Sequence, residues 1–330
     1  MVLSMLPSKA QSLDSNKLLL IYCAVCSLSL LRYQFTKQER QNITEFIYLH
    51  YVPNGEGFRG SMTHKLSDWN RYDPGTLANT YSALCILTTL GDDLAGVEKD
   101  KIMKYVKDCQ IVNGSFLSIL DINGHPFGDG DLRQCYLASS IRRLLNYKGD
   151  HDFNILKMIK FIKSQCTYDG GLGAGESHAG LTFCGLSALQ LVGALDRDEW
   201  SNTAHWLVHR QLFYTEYNRD LLEYKFCDEV DQGSHNGREN KFGDTCYSFW
   251  VIGALSLLRS SQFVNKQHCE NYLLNVTQNR IIGGFSKTDS DDPDPYHSFL
   301  AIAALSIMKF EGIGELDYEL VVPKLATNKL

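Results

Sequence analysis

The sequence of 330 residues lacks a cluster of lysine and arginine, and its formal net charge at pH 7 is −6. Proteins that bind nucleic acids present a basic face to the phosphate backbone, so this lack argues against a nucleic-acid partner. A Pro-, Gly- or Ser-rich linker between the two halves is also missing. We therefore predict a single domain over residues 1–330.

Runs of alternating Val, Ile and Thr, which are typical of strands, are absent, and their absence predicts an all-α fold. One apolar stretch, Leu18–Leu31, could imitate a signal peptide or a membrane span. Its roughly 14 apolar residues are too few to cross a bilayer, and no small-residue cleavage site follows it. We expect a buried helix there and no membrane span.

The ten cysteines are scattered, and most lie inside apolar segments, where a thiol is a small core residue. This distribution favours a reducing, cytoplasmic setting. The final residues, Thr-Asn-Lys-Leu, contain no lipidation motif, so a role with lipids would be that of an enzyme or a carrier.

The sequence does contain an internal repeat of paired helices. The first helix of each pair is amphipathic, and a glycine turn with an apolar anchor usually follows it. These amphipathic segments are Lys37–His50, Val97–Gln110, Phe153–Gln165, Asp198–Gln211 and Lys266–Gln278. The second helix is apolar on most sides. These segments are Leu18–Leu31, Gly75–Leu90, Leu132–Leu145, Leu181–Leu195, Thr245–Leu258 and Ser298–Met308.

Helices that are apolar all round are buried, whereas amphipathic helices face solvent on one side. Six inner and about six outer helices predict a closed α/α barrel. If the inner helices run parallel, their N-terminal ends meet at one rim around a central cavity, which is the expected site.

Polar residues are concentrated at these predicted helix starts. They are Asp131, Arg133, Glu176, His178, Arg238, Lys241, Asp244, Cys246, Tyr247 and His297. Helix N-termini favour anions such as a diphosphate. Three of the residues, Asp244, Cys246 and His297, offer the oxygen, sulfur and nitrogen ligands of a catalytic zinc. Spacing alone leaves the alternative open that Cys246 is a core residue and the other two are helix caps.

Four motifs carry a resemblance to a known family. They are GRENKFGDTCYSFW from Gly237 to Trp250, ESHAGLTFCG from Glu176 to Gly185, YDGGL from Tyr168 to Leu172, and DPYH from Asp294 to His297. Together they resemble the β subunits of protein prenyltransferases, and the similarity extends from about Leu6 to Met308.

The resemblance implies an α/α barrel that pairs with a separate helical-repeat α subunit. It implies one Zn²⁺ on Asp244, Cys246 and His297. The diphosphate site would consist of His178, Arg238, Lys241 and Tyr247, with Tyr247 also assisting catalysis. The cysteine thiolate of an acceptor protein, bound to the zinc, would attack C1 of the prenyl diphosphate.

Lys287 distinguishes between the types of enzyme in this family. Ten residues before the zinc histidine, the farnesyl enzyme has an aspartate that helps to hold magnesium, whereas the type I geranylgeranyl enzyme resembles this chain in having lysine. We therefore expect Lys287 to bind the diphosphate and act in catalysis, with no strict Mg²⁺ requirement. The expected activity is that of protein geranylgeranyltransferase type I. It would transfer geranylgeranyl from geranylgeranyl diphosphate to the cysteine of C-terminal CaaX motifs with X = Leu, on proteins such as Rho-type small GTPases.

The alternatives within the family are a β subunit of farnesyltransferase or of Rab geranylgeranyltransferase. Leu19 falls where the farnesyl enzyme has a tryptophan, and it leaves room for a longer lipid. The pocket for the last substrate residue maps onto Thr76, Ala78 and Gln134, although Thr76 replaces the histidine usual in the family. Asp129 and Arg133 fall where the family orients the peptide carboxylate.

Two departures from the family pattern stand out. An insertion at about 212–235 replaces a short link and is expected to be a surface loop or a partner contact. The chain also begins inside what resembles the family's first segment.

Two rival interpretations remain. Asp289–Asp292 matches the Asp-x-Asp-Asp motif of terpene cyclases, but it lies in an acidic loop, where such a run is typical of a solvated face, and repeated Gln/Trp motifs are missing. A non-enzymatic α/α scaffold is the second rival, and the presence of the full zinc and diphosphate set argues against it.

Overall fold

A computed structural model of the chain describes residues 8–214 and 229–327, and α-helices dominate these ranges. The α-helices are α1 Lys17–Leu30, α2 Lys37–Leu49, α3 Leu77–Leu90, α4 Lys99–Asp108, α5 Leu132–Leu144, α6 Ile155–Ser164, α7 Ala179–Leu191, α8 Ser201–Val208, α9 Thr245–Leu257, α10 Lys266–Asn271, α11 Pro295–Ile307 and α12 Lys324–Thr327. A π-helix, Tyr272–Thr277, continues α10. All eleven helical segments predicted from the repeat are therefore present, with ends that shift by a few residues.

Strands are short in the described ranges. They are β1 Ile119–Leu120, β2 Pro126–Phe127, β3 Leu316–Asp317 and β4 Val322–Pro323. The first two are antiparallel, with Ile119 opposite Phe127. Short 3₁₀ helices are Ser8–Asn16, Met62–His64, Arg197–Trp200, Glu229–Asp231 and Ser261–Phe263. The expectation of an all-α fold agrees with this content.

The described residues form two compact units. The first contains the described residues up to Ser164 and those from Val322 on. Its apolar helices pack in sequence, α1 on α3 and α3 on α5, and the amphipathic α2 and α4 lie against α3 and α5. Leu77, Leu84 and other side chains on α3 are fully buried. The inner and outer assignment made from hydrophobicity holds in this unit.

The second unit, Gln165–Val321, repeats this arrangement. Helix α7 packs on α9, α9 packs on α11, and the outer helix α8 lies against α9. The prediction that residues 1–330 form one domain stays a prediction.

The glycine turns attach to the inner helices through a recurring pair of hydrogen bonds. The backbone carbonyl of the turn's apolar anchor accepts from the N–H of the helix N-cap residue. The backbone N–H of the same anchor donates to a hydroxyl four residues after the cap. In α3, α7 and α11 the anchor, cap and hydroxyl residues are Phe58, Thr76 and Thr80; Leu172, His178 and Thr182; and Phe285, Asp294 and Ser298. The pattern fixes where these three inner helices begin.

Helix α9 departs from this pattern, because its anchor is His235. The backbone carbonyl of His235 still accepts from the N–H of the cap residue Asp244 at 3.0 Å. The hydroxyl of Ser248, however, lies 3.3 Å from Nδ1 of the His235 ring. His235 is fully buried, and burial lowers its pKa to about 3, so a neutral imidazole occupies a position that is apolar in the other repeats.

The glutamines that end the outer segments connect one repeat to the next. Gln211 accepts from the N–H of Asn265 at 2.9 Å and donates to its carbonyl at 3.0 Å. In the first unit, Gln110 makes the same two bonds with Asn154. Because Asn154 and Asn265 directly precede the next outer helices, each glutamine positions the helix that follows.

The segment Ser12–Leu30 is 19 residues long and apolar enough to cross a membrane by length and composition, so the prediction made above that this region is too short to cross a bilayer is wrong. In the structure α1 packs on α3, and its buried side chains include Leu18, Cys23 and Val25. This packing agrees with the predicted buried helix. The cysteines within the described ranges are free thiols, and all except Cys166 are buried.

Candidate active site

The starts of α9 and α11 bring the three predicted metal ligands together. The ligand atoms of Asp244, Cys246 and His297 all lie within 4.8 Å of one another. Asp244 is also the N-cap of α9, and its carboxylate accepts from the N–H of Cys246 at 2.8 Å. Capping and metal binding are therefore compatible for Asp244, because the capping bond uses only one acceptor position of a carboxylate that has two oxygens.

His297 is oriented by a fourth residue, Asp294. The carboxylate of Asp294 lies 2.5 Å from Nδ1 of His297 and also accepts from the His297 N–H at 2.9 Å. The other ring nitrogen, Nε2, lies 3.5 Å from Oδ1 of Asp244. Asp294, and not His297, is the N-cap of α11. The ring thus points its free nitrogen at the other two ligands.

The charges of these groups are coupled. Burial alone would raise the pKa of Asp244, but hydrogen bonds from His297 and Cys246 outweigh it and leave that pKa below its usual value. Burial would lower the pKa of His297, but the carboxylates of Asp244 and Asp294 raise it to about 9. Burial and the Asp244 charge raise the pKa of the Cys246 thiol well above its usual range. At neutral pH the metal-free site therefore carries protons that a cation would displace.

The donor set fits a zinc ion. Thiolate sulfur, imidazole nitrogen and carboxylate oxygen are all zinc ligands, and three protein ligands leave a fourth position for substrate. The carboxylate of Asp294 on the far nitrogen of His297 is the outer support that metal-bound histidines usually have. Among the described residues, Asp244, Cys246 and His297 form a group that could hold a metal ion. Asp244 and Cys246 are buried, and His297 is half-buried.

His178 and Tyr247 form a second polar pair beside the triad. Nδ1 of His178 accepts from the backbone N–H groups of Gly180 and Leu181, so the ring caps α7. The proton of the neutral ring then lies on Nε2, which is 3.1 Å from the Tyr247 hydroxyl and donates to it. The hydroxyl proton of Tyr247 can therefore be donated to an anion. Burial raises the pKa of Tyr247 to about 12, which keeps this proton in place at neutral pH.

Gly237 sets the position of the Tyr247 ring. A Cβ atom at Gly237 would lie 2.0 Å from Cζ of Tyr247, which is closer than any real contact. The Gly237 carbonyl accepts from the Ala179 N–H at 2.8 Å. Only glycine allows the loop to pass between the start of α7 and the tyrosine ring.

The predicted cations lie on the segments that lead into α9 and α11. Arg238 is half-exposed and forms an ion pair with Glu176, with 2.9 Å between Nη1 and Oε2. Lys241 is exposed, and its carbonyl accepts from the Asn236 side chain at 3.1 Å. Lys287 is exposed, and its carbonyl accepts from the Thr245 N–H at 3.0 Å, which places it beside Cys246. The two predicted groups, metal and diphosphate, thus share the starts of α7, α9 and α11.

The predicted peptide and lipid pocket residues lie in the other unit. Thr76 caps α3 with its hydroxyl, which accepts from the Asn79 N–H at 3.0 Å. Gln134 is buried and donates to the Ser118 hydroxyl at 3.3 Å. Since the Ser118 carbonyl also accepts from the Leu77 N–H, Ser118 connects Gln134 to the start of α3.

The remaining pocket predictions differ in exposure. Leu19 is half-buried on α1, whereas Ala78 and Asp129 are exposed. Arg133 pairs with its neighbour Asp131, with 2.6 Å between Nη2 and Oδ2. The Asp129 carbonyl accepts from Ser118. The predicted roles of these residues in substrate recognition stay predictions.

The predicted insertion at about 212–235 has only its ends in the described ranges, because 215–228 lie outside them. Backbone hydrogen bonds pair these ends. The Leu212 N–H donates to the Ser234 carbonyl at 2.8 Å, and the Leu212 carbonyl accepts from the Gly233 N–H at 2.9 Å. The acidic loop at Asp289–Asp292 is exposed, as expected for a solvated run of carboxylates. The hydroxyl of Thr288, directly before this loop, donates to the Asp291 carboxylate.

Comparisons with known proteins support the family resemblance. Residues 1–322 match a family model described as the prenyltransferase alpha-alpha toroid domain. The geranylgeranyl transferase type-1 subunit beta of Arabidopsis thaliana is 29% identical in an alignment of 344 residues, which covers 99% of this chain and 87% of that protein. A protein farnesyltransferase subunit beta of Pisum sativum is 32% identical over 80% of this chain and 56% of its own length.

A solved structure of Candida albicans protein geranylgeranyltransferase-I complexed with GGPP is also similar. The TM-score is 0.91 at 34% sequence identity, with 98% of this chain and 93% of the other covered. The α/α-barrel fold predicted from the helix repeat is confirmed by these likenesses, as is the resemblance stated from the motifs. The roles assigned to individual side chains stay predictions.

Proposed function

This chain belongs to the prenyltransferase alpha-alpha toroid family, and from that premise we propose that it is the catalytic β subunit of a protein geranylgeranyltransferase type I. The observation that carries the proposal is the convergence of Asp244, Cys246 and His297 within 4.8 Å beside the His178–Tyr247 pair. Similarity to two type-1 β subunits over 99% of the chain supports type I over the other types.

Asp244, Cys246 and His297 would hold one zinc ion. Zinc supplies positive charge that lowers the pKa of a coordinated substrate thiol, so that the nucleophile is a thiolate at neutral pH. The chain's own contribution is to fix the three ligands. Asp294 fixes the ring of His297, and the first turn of α9 fixes the other two.

The reaction forms a bond between the acceptor sulfur and C1 of the prenyl group and breaks the bond from C1 to the diphosphate oxygen. Negative charge grows on the departing diphosphate. Tyr247 would donate its hydroxyl proton in a hydrogen bond to that group, while His178 holds the hydroxyl from the other side. Arg238 and Lys241 would supply positive charge, and such preorganised groups stabilise the transition state directly.

Lys287 would take the place of a magnesium ion. Its backbone is fixed by the bond to the Thr245 N–H at the start of α9, and its ammonium charge reaches Cys246, where it acts to lower the thiol pKa. A lysine at this position supplies one positive charge near the diphosphate without a second metal. We therefore propose transfer that depends on zinc and not on added magnesium.

The proposed assembly is a heterodimer with a prenyltransferase α subunit, acting in the cytoplasm. The lipid substrate would be geranylgeranyl diphosphate, and the acceptors would be proteins with CaaX ends in which X is Leu. The buried free cysteines are compatible with a reducing compartment.

The test is a competition assay on the heterodimer made by co-expression with a prenyltransferase α subunit. Peptides ending in Leu and in Ser compete for farnesyl or geranylgeranyl diphosphate, and zinc content is measured on the same sample. We expect transfer of geranylgeranyl to the Leu peptide and one zinc per heterodimer. Preferred farnesyl transfer to the Ser peptide would contradict type I, and a metal-free enzyme with full transfer would contradict the zinc site. Cyclic terpene products made without acceptor would favour the cyclase rival.

A further inference from the structure

Glu176 places a carboxylate inside the proposed diphosphate site. It lies two residues before His178, and its Oε2 is 2.9 Å from Nη1 of Arg238. Arg238 is one of the cations assigned to the diphosphate, so a carboxylate and the substrate would need the same guanidinium. The mechanism proposed above gives Glu176 no role.

The ion pair is positioned by buried neighbours on both sides. Ser177, next to Glu176, is 2% exposed and donates to Asp169 at 2.5 Å. On the other side, the Gly237 carbonyl is bonded to the Ala179 N–H at 2.8 Å. The backbones of Glu176 and Arg238 are therefore held at this spacing, whereas their side chains are partly exposed to solvent.

The pair itself is easily separated. The side chains of Glu176 and Arg238 are 60% and 41% exposed. Exposed ion pairs contribute little stability, because water screens the charges and each side chain loses rotational freedom. A diphosphate carries more negative charge than one carboxylate, so it can displace Glu176 from Arg238 at small cost.

We propose that Glu176 is a positioning residue that competes with the diphosphate for Arg238. It holds the guanidinium when the site is empty, yields it to the diphosphate of the lipid substrate, and recovers it as the product diphosphate leaves. This inference rests on the proposed function, since it assumes that Arg238 binds the diphosphate. Its consequence is that Glu176 weakens diphosphate binding and speeds the release of inorganic diphosphate.

The experiment measures inhibition of the heterodimer by inorganic diphosphate, in competition with geranylgeranyl diphosphate. We compare wild type, Glu176→Gln, Arg238→Gln and the double variant at low and high salt. The inhibition constant of Glu176→Gln should be about two- to five-fold lower than that of wild type at low salt, with a smaller difference at high salt. In the Arg238→Gln background the same substitution should have a clearly smaller effect.

Glu98→Gln is the matched control, because Glu98 also forms an exposed ion pair, with Lys101 at 2.8 Å. It removes the same charge far along the chain and should leave inhibition unchanged. Weaker diphosphate inhibition of Arg238→Gln would support the proposed diphosphate site. If Glu176→Gln then also weakens inhibition, or leaves it unchanged, Glu176 does not compete for Arg238 and the inference is wrong. If Arg238→Gln leaves inhibition unchanged, the proposed diphosphate site is wrong and the inference with it.

Discussion

The Asp294 carboxylate lies 2.5 Å from Nδ1 of His297, so the residue that caps α11 also orients a proposed metal ligand. The spacing within Asp-Pro-Tyr-His makes this possible. The cap is three residues before the histidine, and one carboxylate oxygen reaches the His297 N–H while the other reaches its ring. A single side chain thus determines both where the helix begins and which way the ligand points.

Asp294→Asn separates these two functions. Asparagine is as good an N-cap as aspartate, so α11 should keep its start, whereas the negative charge beside the His297 ring is lost. We expect metal affinity to fall about 10- to 100-fold, the usual effect of losing such an outer partner. Competition with a zinc chelator measures the affinity, and thermal melting of the metal-loaded heterodimer measures stability.

Asp196→Asn is the control for this substitution, because the Asp196 carboxylate also caps a helix, the 3₁₀ helix Arg197–Trp200, by accepting from the Asp198 N–H. It should change neither zinc affinity nor transfer. Zinc affinity equal to that of wild type in Asp294→Asn would show that Asp294 is only a helix cap.

Gly237→Ala tests the close approach of the loop to Tyr247. The added Cβ would meet Cζ, Cε1 and the hydroxyl oxygen of Tyr247 at 2.0 to 2.4 Å, so either the Tyr247 side chain or the loop must move. A displacement of about 1 Å at a catalytic group can lower the rate by about 10²-fold. We expect a loss of that order in kcat with zinc content unchanged, since the atoms closest to the added Cβ belong to the Tyr247 side chain and not to a metal ligand.

Tyr247→Phe is the companion to this variant, because it removes the hydroxyl without crowding the ring. If Gly237→Ala transferred prenyl groups at the wild-type rate, the position of the Tyr247 ring would not matter for catalysis.

The fold was largely predictable from the sequence, whereas the contacts that arrange the site were not. Apolar segments such as Thr245–Leu258 are hydrophobic on all sides, and this alone marks a buried helix. The bond from Asp294 to His297 could have been anticipated from the three-residue spacing, since Asp is a favoured cap. By contrast, the pairing of Glu176 with Arg238 depends on how two segments 62 residues apart meet.

His235 shows another limit of sequence reasoning. The other turns place Phe or Leu at the anchor, so a repeat alignment would assign His235 to the surface or to catalysis. The structure instead buries it against Ser248, where hydrogen bonding replaces part of the apolar packing. The signal in the sequence was a polar residue at a repeat position that is apolar in the other turns. Whether such a residue is buried or exposed depends on the hydrogen-bond partner that the fold brings to it, which here is Ser248.

Lys287→Asp should create a magnesium requirement. The substitution replaces an ammonium group near the proposed diphosphate with a carboxylate, so the charge on the leaving group would need another cation. Without magnesium, we expect kcat to fall about 10²-fold, comparable to losing one preorganised stabilising group. Transfer measured over a range of magnesium concentrations should then rise towards the wild-type rate.

Lys309→Asp is a charge-matched control on the C-terminal side of α11 and should not respond to magnesium. A Lys287→Asp enzyme with the same magnesium response as wild type would argue against the role of Lys287 and against the type I assignment.

His50 should make the folded protein sensitive to mild acid. It is fully buried at the end of α2, with Nδ1 donating to the Phe46 carbonyl at 3.0 Å and Nε2 without a hydrogen-bond partner among the described residues. Burial lowers the His50 pKa below its usual value, although the bond to Phe46 opposes the shift. In the unfolded chain the pKa returns to about 6.5.

Below about pH 6.5 the unfolded state therefore binds a proton that the folded state does not, and the free energy of unfolding must fall as the pH decreases towards the folded pKa. His50→Asn keeps an N–H donor for Phe46 but cannot titrate, so it should make this decrease shallower between about pH 6.5 and 5. The buried His235, whose pKa is lowered to about 3, should account for part of the decrease that remains. Urea unfolding of the heterodimer over this range measures the slope, with His151→Asn, at an exposed histidine, as the control. An equally steep loss of stability in His50→Asn and in wild type would show that other groups are responsible for the acid sensitivity.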